Sequence, residues 1–535
     1  MRTQVLIIGL DGATFSVLDP LMQSGVMPRL RDFVASGVRA ELKSVVPALT
    51  PPAWTSLMTG RAPGRHGIFD FFRRDSPTSQ HIRFQTSADI GCDTLWTLAD
   101  RAGLRSTVLN FPMTFPVPRI DGYVVAGGWM PWRQLRLGCH PAGLYDRLAA
   151  LPGFNPRELA MDMTHEEKAL EGCRQEEYRD WIDLHIRRER RWAEVAAHLM
   201  RNDATELVAV LFDGVDKLQH LCWRFIDPTL ATGATSEWDR NIRDRCLDYF
   251  REVDAIIAEL LFLAGEEANI VVVSDHGFGS QIRTFFVNAW LQQRGCLAWA
   301  DDRAPRVDGT QLLGMGRLAK HVYELDWLRT KAYAPMPSGN GIHIVRADRD
   351  HPGGVPEDDY EAFRERLIEG LLALEDPSSG EQVVARVWKR EDVFDGPYLG
   401  LAPDLTLELT DGGLVSILGS EDVVRPRPQP TGTHRPNGVF AARGPRFRQG
   451  ACVPQLSILN IAPLVLYGLG LPIPSELDEE LPFETLREGV LLEHPVSYAA
   501  QSEDMQPASV TAGPELGPEA EMEIMKRLRA LGYVE

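Results

Sequence analysis

Three short apolar runs constrain this chain more than any other feature, because each of them stops at an aspartate. Val5–Gly9 leads into Leu10-Asp11-Gly12, Leu207–Phe212 into Asp213-Gly214-Val215-Asp216, and Ile270–Val273 into Ser274-Asp275-His276-Gly277. Unbroken apolar runs of this length read as strands buried on both faces, the pattern of a parallel sheet covered by helices. The expected fold is therefore α/β, with a mostly parallel central sheet flanked by helices. In such sheets ligands gather outside the carboxyl ends of the strands, so acidic strand ends can share one crevice. An aspartate at one strand end is commonly only a turn or helix cap. Its recurrence at three strand ends is what points to chemistry.

The remaining signals narrow the partner. A formal net charge of -19 over 535 residues opposes encounter with a nucleic-acid polymer or an anionic membrane surface. An anionic substrate must then be small and held by local positive charge, which a metal centre can supply. The seven cysteines, at 92, 139, 173, 222, 246, 296 and 452, are odd in number and form no CxxC pair, as expected for reduced thiols. No apolar run reaches the length of a membrane span, and Met1-Arg2-Thr3 passes directly into Val5 without a signal-type apolar region. The expected location is cytoplasmic.

Texture along the chain suggests a catalytic core in two parts, about 1–297 and 405–480. A helical insertion at about 129–200 falls within the first part, and an inserted cap subdomain of about 298–404 separates the two. A tail of about 481–535 follows, ending in a short helix near Met522–Leu531. The basic run Ile186–Arg191 reads as a solvated helix face, since Glu189 interrupts it.

Three further stretches carry candidate chemistry. In Leu49-Thr50-Pro51-Pro52-Ala53-Trp54, Thr50 has the character of a helix N-cap followed by proline, which would place its hydroxyl at a helix N-terminus suited to a phosphate. Asp216 and His220 are four residues apart and share one helical face, so they can share a metal. Arg425–Pro430, with alternate prolines, reads as a stiff extended segment delivering His434 into the Gly-rich turn Thr431–Gly438. Asp11, Thr50, Asp216, His220, Asp275, His276 and His434 together offer three carboxylates, three imidazoles and a hydroxyl. Such a set suits two divalent ions, with zinc favoured by the histidines and manganese also acceptable.

At this point the sequence resembles the alkaline phosphatase superfamily, and within it the type I phosphodiesterase and nucleotide pyrophosphatase branch. Thr50, Thr59-Gly60 and His66-Gly67 stand in that family's order, and Pro52–Trp54 and His66–Phe71 are similar to elements of its bacterial and archaeal phosphohydrolases or phosphomutases. The resemblance implies Thr50 as nucleophile, one metal held by Asp11, Thr50, Asp275 and His276, and another by Asp216, His220 and His434. It also implies a phosphothreonine intermediate. An asparagine that contacts phosphate in the extracellular relatives is replaced by Phe71, and Arg435 or Asn437 are the candidate replacements. No cysteine lies in a CxPxR context, which argues against a sulfatase. A threonine nucleophile and a different insert layout argue against a cofactor-independent phosphoglycerate mutase.

The expectation is thus a two-metal phosphodiesterase or pyrophosphatase-type hydrolase acting on a small phosphorylated metabolite. Two alternatives stand beside it: a phosphomonoesterase or phosphomutase using the same site, and a catalytically inactive metal-binding regulatory protein.

Overall fold

The computed structural model describes residues 2–74, 82–127, 130–160, 173–231, 236–300, 325–336 and 338–499. The helix expected near Met522–Leu531 lies outside them. A ten-stranded sheet forms the centre, with Asn269–Val273, Val5–Leu10, Leu207–Phe212, Ser106–Leu109 and Gly122–Val125 adjacent and parallel. Asn437–Arg443 enters antiparallel between Asn269–Val273 and Val38–Lys43.

The unbroken apolar runs have a direct cause. Alternate residues of a strand face opposite sides of the sheet, and each side meets its own core. Leu6, Ile8, Val208, Val210, Ile270 and Val272 enter one core, with the helices Tyr178–Asn202, Gly214–Ile226 and Glu237–Ala264. Val5, Ile7, Leu207, Ala209, Val271 and Val273 enter the other, with Thr50–Thr59, Leu95–Arg101 and Ile461–Leu469. Polar residues at either set would be buried without partners.

Several packing contacts cross the boundaries expected from the sequence. The 25-residue helix Tyr178–Asn202 buries Trp181, Ile182, Trp192 and Val195 against the sheet, so the stretch assigned to an insertion supplies part of a core layer. Leu481, Leu486 and Val490, in the first part of the supposed tail, are buried in the other core. Pro463 occupies the first turn of Ile461–Leu469, where its missing N–H is harmless.

A third apolar cluster runs from Phe285 to Val424 and surrounds a four-stranded sheet in the order Ala332–Tyr333, Gly341–Ile344, Leu405–Leu409, Val384–Lys389. Cluster members such as Phe285, Trp290 and Val424 lie outside 298–404 in sequence. The unit stands on an antiparallel ribbon of Gly277–Phe285 and Val424–Arg435, in which Phe278 pairs with His434. Pro426, Pro428 and Pro430 fit there because, among the described residues, Val424–Arg435 pairs on one side alone.

Candidate metal centre and active site

Strand register sets the first part of the site. Gly9 pairs with both Val273 and Leu211, so Asp11 and Asp275, each two residues beyond, emerge side by side. Gly12 turns the chain away with φ of +66°, a conformation that favours glycine. A Cβ there would also lie 2.9 Å from the Phe278 ring. The Gly12 N–H donates to Asp275 Oδ1 at 3.0 Å, and the Trp54 indole N–H donates to Asp11 Oδ2 at 3.2 Å. Each carboxylate thus has one oxygen held by the fold. The other two, Asp11 Oδ1 and Asp275 Oδ2, are buried without a hydrogen-bond partner and lie 3.7 and 3.2 Å from His276 Nε2.

The second part comes from the helix Gly214–Ile226 and the ribbon. Asp216 Oδ1 lies 3.4 Å from His220 Nε2 and 3.2 Å from His434 Nε2, and it too is buried without a hydrogen bond. His434 sits at the end of a strand rather than in a turn. Gly432, two residues earlier, lets that strand touch the helix, since a Cβ there would lie 2.2 Å from the Gln219 carbonyl oxygen. The His276 and His434 rings stack at 3.7 Å between centroids.

The histidine tautomers follow from their backbone partners. Nδ1 of His220, His276 and His434 lies 3.1, 3.2 and 3.1 Å from the carbonyl oxygens of Gly432, Gly277 and Ala48. A carbonyl only accepts, so in the neutral ring each Nδ1 carries the proton and each Nε2 keeps a lone pair. His220 Nε2 and His434 Nε2 then face each other at 3.1 Å. Two lone pairs and an unpaired carboxylate oxygen at that separation repel unless a cation lies among them. Burial points the same way. It pushes His276 well below and His434 below the ordinary imidazole range. It also pushes Asp275 up to about 8, with the charge of Asp216 adding to the effect, and Asp11 well above its usual range, with Asp275 and Asp216 adding. Three carboxylates cannot all ionise together here without added positive charge.

Among the described residues, Asp11, Asp275 and His276 form one group able to hold a metal ion, and Asp216, His276 and His434 another. His220 joins the second through its contacts with Asp216 and His434. All three carboxylates and all three imidazoles singled out in the sequence therefore converge.

Thr50 also reaches the cluster, by a different route from the one its sequence suggests. The N-cap of Thr50–Thr59 is Leu49, and Thr50 is the first helical residue. Pro51 and Pro52 then occupy the positions whose N–H groups an N-cap would satisfy, and neither has one. No capping bond claims the Thr50 hydroxyl, and its Oγ1 lies 3.5 Å from His276 Nε2. The two prolines equally deprive this helix end of most of the N–H groups expected to meet a phosphate.

Arg435 and Asn437, the candidate phosphate contacts, bond to the protein itself. The Arg435 guanidinium donates to the His434 carbonyl at 3.1 Å and to the Ser280 carbonyl at 2.5 Å, and Asn437 donates to Glu41 at 3.0 Å. Both are occupied in holding the ribbon and the sheet edge. The basic run Ile186–Arg191 needs correction, since Arg188 and Glu189 are buried behind the site. Glu189 accepts from the Gly214 N–H at 2.7 Å and the Tyr249 hydroxyl at 2.8 Å, anchoring the start of the helix that carries Asp216 and His220. Glu189 is not marked as functional by its sequence context, and Trp54 stands out there only as part of the Pro52–Trp54 element. Their partners lie 25 and 43 residues away, at Gly214 and Asp11.

The family of type I phosphodiesterases and nucleotide pyrophosphatases matches residues 5–437. The chain belongs to this family. It is accordingly a phosphoric ester hydrolase of the alkaline phosphatase superfamily, whose members depend on metal ions. No curated protein matches the sequence. Among solved structures, phosphonoacetate hydrolase from Sinorhizobium meliloti in complex with phosphonoacetate shares 16% identity, with 88% of this chain and 95% of that chain covered and a TM-score of 0.51. An inactive variant of murine ectonucleotide pyrophosphatase/phosphodiesterase 5 in complex with AMP shares 14% identity, with 88% and 96% covered and a TM-score of 0.48. The likeness to the first of these shows the shared alkaline phosphatase-like fold.

Proposed function

We propose that the protein is a two-metal phosphodiesterase or pyrophosphatase-type hydrolase that uses Thr50 as its nucleophile on a small phosphorylated metabolite. The observation that carries this reading is the convergence of three unpartnered buried carboxylate oxygens and three imidazole Nε2 atoms beside an uncapped threonine hydroxyl. The donor set fits two divalent ions, with Asp11, Asp275, His276 and Thr50 holding one and Asp216, His220 and His434 the other. Zinc suits three imidazoles, and manganese suits the mixed oxygen and nitrogen set.

When bound, the ions supply Lewis-acid charge that activates a hydroxyl and stabilises charge on the attacking and leaving oxygens. The chain itself contributes position. Thr50 Oγ1, giving up its proton to solvent, attacks phosphorus and displaces one ester oxygen, which leaves as the protonated alcohol or phosphate; water then cleaves the phosphothreonine P–O bond, releasing the phosphate product and restoring the hydroxyl. The Trp54 N–H fixes the Asp11 carboxylate, the Gly12 N–H fixes Asp275, and three backbone carbonyls hold the imidazoles in the ligating tautomer. Each of the seven cysteines is a free thiol, which supports a reducing, cytoplasmic setting that fractionation would test.

The test is turnover of bis-p-nitrophenyl phosphate, p-nitrophenyl phosphate and p-nitrophenyl sulfate by chelator-treated protein resupplied with Zn, Mn or Mg. The expected result is metal-dependent hydrolysis with the diester preferred and the sulfate ester inert. Preference for the monoester would replace the diesterase reading. Absence of turnover with every metal would leave a metal-binding protein.

A further inference from the structure

A cavity of about 80 Å³ lies between the core and the Phe285–Val424 unit, with Pro47, three residues before Thr50, in its wall. That volume is enough for a small oxyanion. Arg73, Arg74 and Gln85 line it from the core, and His343 lines it from the inserted unit. Arg74 is 9% exposed, and its Nη1 is buried without a hydrogen-bond partner. Its guanidinium lies 5.1 Å from the Tyr333 ring centroid, a contact that supports a cation without pairing it.

The charged neighbours do not complete it. Asp404, whose charge reaches Arg74, accepts hydrogen bonds from Tyr360 at 2.6 Å and the Ile344 N–H at 2.8 Å, and is bonded to Arg390. Asp70 Oδ1, on the cavity wall, accepts from the Phe71 N–H at 2.6 Å and the Ser338 hydroxyl at 2.7 Å. Arg73 has Asp89 at 3.4 Å. His343 is kept neutral by burial, with Arg74 and Arg390 acting in the same direction, so it offers one N–H without adding charge. A buried guanidinium nitrogen left without an acceptor is unfavourable, and an anion in the cavity would complete it.

We propose that this cavity is a second anion subsite, in which Arg74 pairs with a carboxylate or phosphate group that the substrate carries away from the scissile phosphorus. The inference rests on the hydrolase reading above and narrows the substrate to phosphoric esters bearing a second acidic group.

Calorimetric titration of inorganic phosphate, and separately of malonate, into chelator-treated full-length protein tests it. The expected result is saturable one-site binding, at least tenfold weaker in Arg74→Met and intermediate in Arg74→Lys. Tighter phosphate binding would assign a phosphate, and tighter malonate binding a carboxylate. Thermal melts give a second readout: phosphate should raise the Tm of the natural protein and leave that of Arg74→Met unmoved. If Arg74→Met does not fold, the weakening in Arg74→Lys decides. Absence of saturable binding, or equal binding in the variants, overturns the subsite. Turnover of bis-p-nitrophenyl phosphate separates the two readings. Turnover with Arg74-independent anion binding removes the subsite alone, whereas Arg74-dependent binding without turnover removes the hydrolase reading and leaves an anion site.

Discussion

Trp54→Phe isolates one hydrogen bond of the site. The indole N–H donates to Asp11 Oδ2 at 3.2 Å, both residues are buried, and phenylalanine preserves an aromatic ring while deleting the donor. A hydrogen bond to a charged acceptor contributes about 1.5–3 kcal/mol. At about 1.4 kcal/mol per decade, the ion beside Asp11, Asp275 and His276 should bind roughly ten- to a hundredfold more weakly. The Asp216, His220 and His434 set makes no hydrogen bond to Trp54 and should keep its ion. Competition against a graded chelator series, with metal content read by elemental analysis, should therefore show one of two ions lost first in the variant. Trp54 also packs edge-on to Phe111 at 5.3 Å, so the smaller ring should destabilise the fold by about 1–3 kcal/mol, read separately in melts of metal-free protein. Unchanged affinity for both ions would refute the argument that Trp54 orients Asp11. Equal weakening of both would refute the division of the ligands into two sets.

Other perturbations test other parts of the arrangement. Thr50→Ala should lower turnover by about 10³-fold or more, since Thr50 Oγ1 is uncapped and directed at the cluster, whereas Thr50→Ser should retain measurable hydrolysis. Gly432→Ala should sharply reduce bound metal, because a Cβ 2.2 Å from the Gln219 carbonyl forces the His434 strand off the His220 helix; an unchanged two-ion content would contradict this. His66 lies outside the ligand set and gives a pH prediction. Burial pushes its ring down to about 3, where Nδ1 accepts from the Ile68 N–H and Nε2 bonds Ser56. Unfolded, it titrates near its ordinary value, so between about pH 6.5 and 3 the unfolded chain binds the extra proton and stability falls as pH falls. The loss should be about 2 kcal/mol by pH 5, and urea titrations of His66→Gln should show a correspondingly flatter acid limb.

Much of this was legible in the sequence for a physical reason. A strand segment covered on both faces favours apolar residues at every position, so Val5–Leu10, Leu207–Phe212 and Ile270–Val273 announced themselves without alternation, and register then carried Asp11 and Asp275 to the same place. Helical spacing likewise sufficed for Asp216 and His220. Boundaries were less legible. Apolar faces of Tyr178–Asn202 and Leu405–Leu409 look alike whether they meet the main sheet or the inserted unit, and only the third dimension says which.

By itself, the sequence determined the layered α/β architecture, the acidic strand ends and the residue types able to ligate metal, because each follows from local periodicity or from side-chain chemistry. The tertiary structure decided what depends on distant partners. It released the Thr50 hydroxyl from capping, committed Arg435 and Asn437 elsewhere, set Trp54 against Asp11, and left Arg74 unpaired at a seam between two units. Each of these is a question of which polar atom remains without a partner after folding, and a linear pattern carries no record of that remainder.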